Sequence, residues 1–242
     1  MKKTAIIIGA SGEIGLETAK KMAKEGYYLA LTYNKNKVDF KNEIDCDNVE
    51  IKAYPLDLKS DDIAKTFMQI GSDFKYIDTL VFCSGIAQKR ALIFDVSDEE
   101  IDNLFEVNIK SAIKCIKAFS KMTAGKHPAN IVLVSSFVEK MGCSCESVYA
   151  ATKSAMNGLC RSLASELGNL GIRINVVAPG FIDTKMNVNL TDEEKTEIAD
   201  MTPLQTLGNV CDVANAIVFL SSEKASFITG QILYVDGGLI LE

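Results

Sequence analysis

The sequence predicts a doubly wound α/β fold, one seven-stranded parallel sheet flanked by helices, with residues 1–242 forming a single domain. Three observations carry that expectation. Short apolar runs alternate with segments of helical spacing along the chain, the pattern of repeated βαβ units. The first run leads through a glycine-rich turn into the first helix, and glycine, serine or proline recurs just past several later runs. No linker marks a second domain, and a chain of this length buries a sizeable core.

Residues 4–8, Thr-Ala-Ile-Ile-Ile, show no alternation, as expected of a parallel strand buried on both faces. Gly9-Ala10-Ser11-Gly12-Glu13-Ile14-Gly15 follows, and residues 16–25 then place Ala19, Met22 and Ala23 on one side of a helix. Further strands are expected at 28–33, 49–54, 79–83, 131–134, 172–178 and 232–235. A helix is expected at 61–71. Ser97-Asp98-Glu99-Glu100 has the form of a capping box, opening a continuous helix that carries Phe105, Asn108 and Ile109 toward Met122. The helix begun after Ser147 runs to about residue 169, and the last helix covers about 210–221. Between them, 184–203 reads as a helical lid whose Asp192, Glu193 and Glu194 suit a helix start.

In such a sheet the ligand lies at the carboxyl ends of the strands. Gly9, Ser84-Gly85, Ser136 and Pro179-Gly180 all follow strand ends and should converge on one crevice. Strand, glycine turn and helix together predict dinucleotide binding, because bare backbone can approach a pyrophosphate at a helix N-terminus. Gly9, Ser11, Gly12, Ile14 and Gly15 are the candidates there. The second strand ends in Thr32-Tyr33-Asn34-Lys35 with Lys37 beyond, and no acid appears until Asp39. Cations at that position suit a ribose 2′-phosphate, so NADP(H) is favoured over NAD(H). Asp57, followed by Leu58, is placed to cap the next helix or to bond an adenine amine.

Tyr149 and Lys153 stand four apart in a predicted helix and therefore share a face. A phenol titrates near ~10, and a neighbouring cation lowers that value. A tyrosine tuned in this way is a general acid for a carbonyl oxygen. The Ser136 hydroxyl is placed to hydrogen-bond the same oxygen as it gains charge.

Composition narrows the partners. The net charge of −6 and the absence of a basic block exclude nucleic acid as the main partner. The seven cysteines lack framework spacing, which predicts reduced thiols in the cytoplasm. Cys143-Ser144-Cys145 lacks the paired ligands of a zinc site in a chain with one histidine, so no metal is expected. The apolar run after Met1-Lys2-Lys3 is broken by Ser11-Gly12-Glu13, too early for a leader. No run reaches the ~18 apolar residues of a membrane span, so no membrane association is expected.

Gly9-x-x-Gly12-x-x-Gly15, Asn108, Ser136, Tyr149-x-x-x-Lys153, Pro179-Gly180-Phe181-Ile182-Asp183-Thr184 and Val235-Asp236-Gly237-Gly238 together resemble the short-chain dehydrogenase/reductase family over essentially the whole chain. That resemblance implies a Rossmann fold and a tetrad. Tyr149 would be the proton donor, Ser136 would stabilise the oxyanion, and Lys153 would bond the nicotinamide ribose. Asn108 would hold a water, and the backbone at Ile182 with the Thr184 hydroxyl would bind the carboxamide. It also implies a homotetramer packed through the Asn108 and Tyr149 helices and the C-terminal strand. Two positions depart from the family pattern. Glu13 stands where glycine is usual, and Phe82-Cys83-Ser84-Gly85 replaces Asn-Asn-Ala-Gly. An arginine common in NADP-preferring members would stand at Gly12.

Within the family, Val177-Ala178-Pro179-Gly180 through the Gly-Gly tail looks most like 3-oxoacyl-acyl carrier protein reductases, implying a small or carrier-bound ketone as substrate. Gly85-Ile86-Ala87-Gln88, Ser144-Cys145-Glu146 and Met186-Asn187 look like the elongation factor P 5-aminopentanone reductases, which act on a ketone borne by a modified lysine. His127 and Leu170 stand where the carrier-protein reductases have basic residues, which tells against an acidic carrier. An aminated substrate would find Glu146 congenial. A dinucleotide sensor on the same fold is the non-enzymatic reading, and it has no need of the intact tetrad.

Overall fold

The computed structural model describes residues 2–60, 63–184 and 191–240. Its centre is β1 (Thr4–Ile8), buried along its entire length. Ile6 and Ile8 pack into one layer of the core, and Ala5 and Ile7 into the other. Each isoleucine buried in this way stabilises the fold by about 1.5–3 kcal/mol. A strand that loses water on both faces has no polar face to alternate, which is why its sequence reads as one apolar run.

β1 leads into α1 (Glu13–Lys24), which buries Ala19, Met22 and Ala23 as expected. The helix starts earlier than the sequence predicts because Gly12, extended at ψ 158°, serves as its N-cap. β2 (Tyr28–Tyr33), the short α2 (Phe40–Glu43) and β3 (Ile51–Pro55) follow. β3 is an edge strand, so Pro55 removes no ladder bond inside the sheet. Then come α3 (Ile63–Asp73) and β4 (Thr79–Phe82).

The expected continuous helix from Ser97 to Met122 is three pieces: α4 (Asp98–Phe105), a π-turn (Glu106–Lys110) and α5 (Ser111–Thr123). Single π-turns inside helices concentrate at functional sites, and this one carries Asn108. The predicted capping box is half formed. The Ser97 hydroxyl accepts from the Glu100 N–H at 3.2 Å, but the Glu100 carboxylate accepts from the Lys89 N–H at 2.7 Å, in the loop that precedes α4, instead of from the Ser97 N–H. β5 (Ala129–Val134), α6 (Val138–Met141), α7 (Ser147–Leu167) and β6 (Ile172–Pro179) complete the centre.

The chain closes with α8 (Asp192–Met201), α9 (Val210–Ser221) and β7 (Ile232–Val235). Both helices carry complete capping boxes, Thr191 with Glu194 and Asn209 with Asp212. The expected lid at 184–203 falls partly on residues 185–190, which lie outside the described residues.

The sheet has seven strands in the order β3-β2-β1-β4-β5-β6-β7, and every pairing is parallel. α3, α5 and α7 cover one face, where Phe67, Phe119 and Met156 are buried. α1 and α9 cover the other with Met22 and Ile217. Strand order reverses between β1 and β4, and that switch point is where an α/β sheet opens its ligand crevice. Among the described residues no helix is long and apolar enough to cross a membrane.

Candidate active site

Gly9 has φ +80°, and a Cβ there would meet the Ser84 backbone at 3.0 Å. A Cβ on Gly15 would collide with the Gly9 carbonyl oxygen and come within 3.0 Å of the Ala10 Cα. Both positions therefore require glycine. At Gly12 a Cβ would reach only 3.4 Å from the Gly9 oxygen, an ordinary contact. The turn is tied to β2, because the Gly9 N–H donates to the Thr32 hydroxyl at 3.1 Å and the Ala10 N–H to the Thr32 carbonyl at 2.9 Å. What results is bare backbone at the N-terminus of α1, the form a pyrophosphate requires.

Beside this turn lies a cavity of about 270 Å³, lined among others by Gly9, Ser11, Thr32, Asn34, Asp57, Leu58, Ser84 and Gly85. The sequence reading placed all of these around one ligand. The Thr32 hydroxyl already holds the glycine turn, and Lys35 is exposed outside the cavity lining. Asp57 closes a local turn by accepting from the Lys59 N–H at 3.0 Å. Gly12, Ile14 and Gly15 belong to the turn and the first turn of α1 rather than to the cavity wall.

Farther along the carboxyl edge, Pro179 ends β6, and a Cβ on Gly180 would press on Asp236 at 2.7 Å. Ile182 is buried and forms a parallel bridge with Gly208, and the Thr184 hydroxyl donates to the Ile182 carbonyl at 3.5 Å.

Ser136, just past β5, lies close enough to the Tyr149 phenol to draw its pKa down, and Tyr149 is 8% exposed on the first turns of α7. The Lys153 Nζ stands 5.5 Å from the Tyr149 ring centroid and donates to the Val134 carbonyl at 3.0 Å. A Cβ on Gly85 would come to 3.4 Å from both Lys153 Nζ and Asn108 Oδ1, so glycine keeps that corner open. Asn108 is 0% exposed, and its side chain is committed to the protein. Its Oδ1 accepts from the Ile86 N–H at 2.8 Å, and its Nδ2 donates to the Ile86 carbonyl at 3.0 Å and to Thr152 Oγ1 at 3.1 Å. Thr152 in turn donates to the Tyr149 carbonyl at 2.8 Å. Thr152 escaped the sequence reading although it is Tyr149's helical neighbour, because an internal hydroxyl–carbonyl bond leaves no motif.

The electrostatics correct one expectation. Burial pushes the Tyr149 phenol up to about 12, the Ser136 hydrogen bond draws it down, and Glu146 raises it. Burial is the largest influence, and Lys153 is not among the groups that shift the phenol. The ammonium faces the tyrosine ring and the Val134 carbonyl instead of the phenol oxygen. Lys153 itself is drawn down to about 8 by burial, opposed by Cys83. Glu146 is also not the lone anion that an aminated substrate would meet, since Arg90 Nε lies 3.7 Å from its carboxylate. His127 stacks on Tyr76, with ring centroids 4.4 Å apart.

Phe137 and Phe181 pack with ring centroids 4.7 Å apart, and Phe137, Val138, Val148 and Tyr149 form a small apolar cluster of their own. A carbonyl presented to Ser136 and Tyr149 therefore meets an apolar wall and two hydroxyls, the surroundings in which hydrogen bonds to a developing oxyanion gain strength.

Residues 9–240 match the sequence pattern of a family described as Enoyl-(Acyl carrier protein) reductase. With that fold and that site, the chain belongs to the short-chain dehydrogenase/reductase family and is an NAD(P)-dependent oxidoreductase. The 3-oxoacyl-[acyl-carrier-protein] reductase of Staphylococcus epidermidis is 34% identical over 245 residues, covering 100% of both chains. An uncharacterized oxidoreductase of Bacillus subtilis, YmfI, is 37% identical over 242 residues, covering 98% of this chain and 99% of its own. Among solved structures, ElxO with NADP bound superposes with a TM-score of 0.89 at 29% identity, covering 99% of each chain.

Proposed function

We propose that this protein reduces a ketone to a secondary alcohol with NADPH, and that the ketone is carried on an acyl thioester. One observation carries the reading: Ser136, Tyr149 and Lys153 meet at the carboxyl edge of the sheet, beside a glycine cradle that a Cβ would fill. A dinucleotide fits that cradle. Gly9, Ser11, Gly12, Ile14 and Gly15 would hold the pyrophosphate, and Asp57 and Leu58 the adenine. Thr32, Asn34 and Lys35 would serve the ribose 2′ position. Ser84 and Gly85 would serve the nicotinamide ribose, and Pro179, Gly180, Ile182 and Thr184 would hold the carboxamide. When bound, the nicotinamide supplies a hydride to the carbonyl carbon.

Every other part of the reaction belongs to the chain. Ser136 donates a hydrogen bond to the carbonyl oxygen, and Tyr149 breaks its O–H bond to protonate that oxygen as the carbon is reduced. Lys153, which in this structure donates to the Val134 carbonyl, would bond the nicotinamide ribose and favour the phenolate that remains. Asn108 fixes the segment at Ile86 and, through Thr152, the first turns of α7. Residues 191–203, in the described part of the expected lid, cover the substrate within a single domain. The enzyme works in the cytoplasm as a homotetramer.

The first-named relative supports a thioester substrate, since it is a 3-oxoacyl-[acyl-carrier-protein] reductase over its full length. A second reading, a ketone on modified elongation factor P, rests on the resemblance carried by Gly85-Ile86-Ala87-Gln88 and Ser144-Cys145-Glu146. Oxidation of NADPH, beside NADH, with an acetoacetyl thioester and with 5-aminopentanone-modified elongation factor P tests both. Turnover of the thioester alone is expected, turnover of the modified factor alone would replace it with the second reading, and cofactor binding without turnover of either would revive the sensor.

A further inference from the structure

The first turn of α7 sets the height and direction of Tyr149. Glu146, the N-cap of that helix, makes no side-chain capping bond among the described residues. The cap arrives from another part of the fold. Gln88, in the segment after β4 and 5% exposed, accepts with its Oε1 from the Val148 N–H at 2.9 Å and the Tyr149 N–H at 3.1 Å. Its Nε2 donates to the Cys145 carbonyl at 3.1 Å. Cys145 has φ 67°, a left-handed conformation that is costly for a residue with a Cβ. Its carbonyl accepts a second bond from the Ala91 N–H at 3.2 Å, and the Arg90–Glu146 pair lies alongside. The Gln88 segment is anchored in its turn to the start of α4 through the Lys89 N–H and Glu100.

We infer that Gln88 is a positioning residue for the reaction, a cap supplied from a distant segment that sets the first turn of α7 and so holds the Tyr149 hydroxyl against Ser136. This rests on the reading of Tyr149 as proton donor. The Gln88 amide matches both needs of the site: its oxygen accepts from two converging N–H groups, and its nitrogen adds a second bond to a Cys145 carbonyl that already accepts from Ala91. A carboxylate satisfies the N–H groups and fails the carbonyl, whereas an aliphatic side chain leaves both N–H groups unpaired in a buried place. Small displacements of a group that must meet a reacting atom cost large factors in rate.

The test compares Gln88→Leu, Gln88→Glu and Tyr149→Phe in the full-length enzyme with NADPH and an acetoacetyl thioester, together with amide hydrogen exchange of the peptide holding Val148 and Tyr149. Gln88→Leu should lower kcat by about tenfold or more, with the KM for NADPH within about twofold. It should also speed exchange at the Val148 and Tyr149 amides, a change that needs no substrate to observe. Gln88→Glu should keep a larger share of kcat and move the basic limb of the pH profile upward, because it adds an anion at the first turn of α7, beside a phenol that Glu146 already raises while the Lys153 ammonium is turned to the ring and the Val134 carbonyl. A side chain that merely aided folding would lower stability and leave the pH profile in place. If Gln88→Leu fails to fold, the pH shift of Gln88→Glu decides. Parental kcat, exchange and pH profile in the Gln88 variants, with Tyr149→Phe inactive, would overturn the inference alone. An active Tyr149→Phe would overturn the proton-donor reading and this inference with it.

Discussion

The turn between β1 and α1 and the first turn of α7 both present backbone N–H groups at the carboxyl edge of the sheet, by opposite means. The first is shaped by what is missing, since Gly9 and Gly15 are needed because a Cβ at either would strike backbone a few residues away or on the next strand. The second is shaped by what is brought in: Gln88 caps it from beyond β4, and Asn108 reaches its Thr152 from a π-turn. A steric demand within one turn leaves a spacing of residues, while a hydrogen bond between distant segments leaves none. The two regions should therefore respond differently to substitution.

The largest effect belongs to the second region. Tyr149→Phe should lower ketone reduction by about 10²- to 10⁴-fold and leave NADPH binding within about twofold, read by steady-state kinetics beside cofactor titration. In the first region Gly15→Ala should weaken NADPH binding by at least about tenfold, whereas Gly12→Ala should change it by about twofold or less, because only the former Cβ collides with backbone. Equal effects at the two glycines would show that the turn relaxes and that its steric demand is not what shapes it.

Lys153 sharpens the comparison through stability. Its folded-state value of about 8 lies below the ordinary 10.5, so at neutral pH the fold carries a buried charge it disfavours. Between about 8 and 10.5 the unfolded chain holds a proton the folded one has released, and this group's contribution to stability rises with pH across that window. Lys153→Met should abolish turnover and yet stabilise the protein by about 2–3 kcal/mol near pH 7, an advantage that shrinks as pH rises through the window. Urea midpoints of variant and parent at pH 7 and pH 10 read it, and a variant less stable than the parent at pH 7 would show that the bond to Val134 outweighs desolvation. The smallest effect concerns Lys35, exposed beside the cavity: Lys35→Glu should shift the ratio of kcat/KM for NADPH over NADH toward NADH by several-fold, less at high salt.

What was legible in the sequence follows the same division. β1, β2, α9 and β7 lie where apolar periodicity put them, because burial on one face or two leaves a period. Ser136, Tyr149 and Lys153 were legible from spacing and strand ends. The π-turn at Asn108 was not, since residues 97–122 keep helical periodicity through it. Glu100 carries the letter of a capping box, yet its carboxylate serves Lys89, a partner that tertiary structure supplies. The direction of the Tyr149 pKa shift escaped for a related reason: proximity of a lysine can be read from a four-residue spacing, but the depth of burial and the turn of the ammonium toward the Val134 carbonyl cannot.

The most direct measurement supplies NADPH deuterated at the transferable position together with an acetoacetyl thioester and follows the label by mass spectrometry, in the parent and in Tyr149→Phe. The expected result is one deuterium on the carbinol carbon of the product from the parent and no labelled alcohol from the variant. Labelled alcohol formed equally by both proteins would contradict the role of Tyr149, and unlabelled alcohol from the parent would contradict hydride transfer from the cofactor to the ketone.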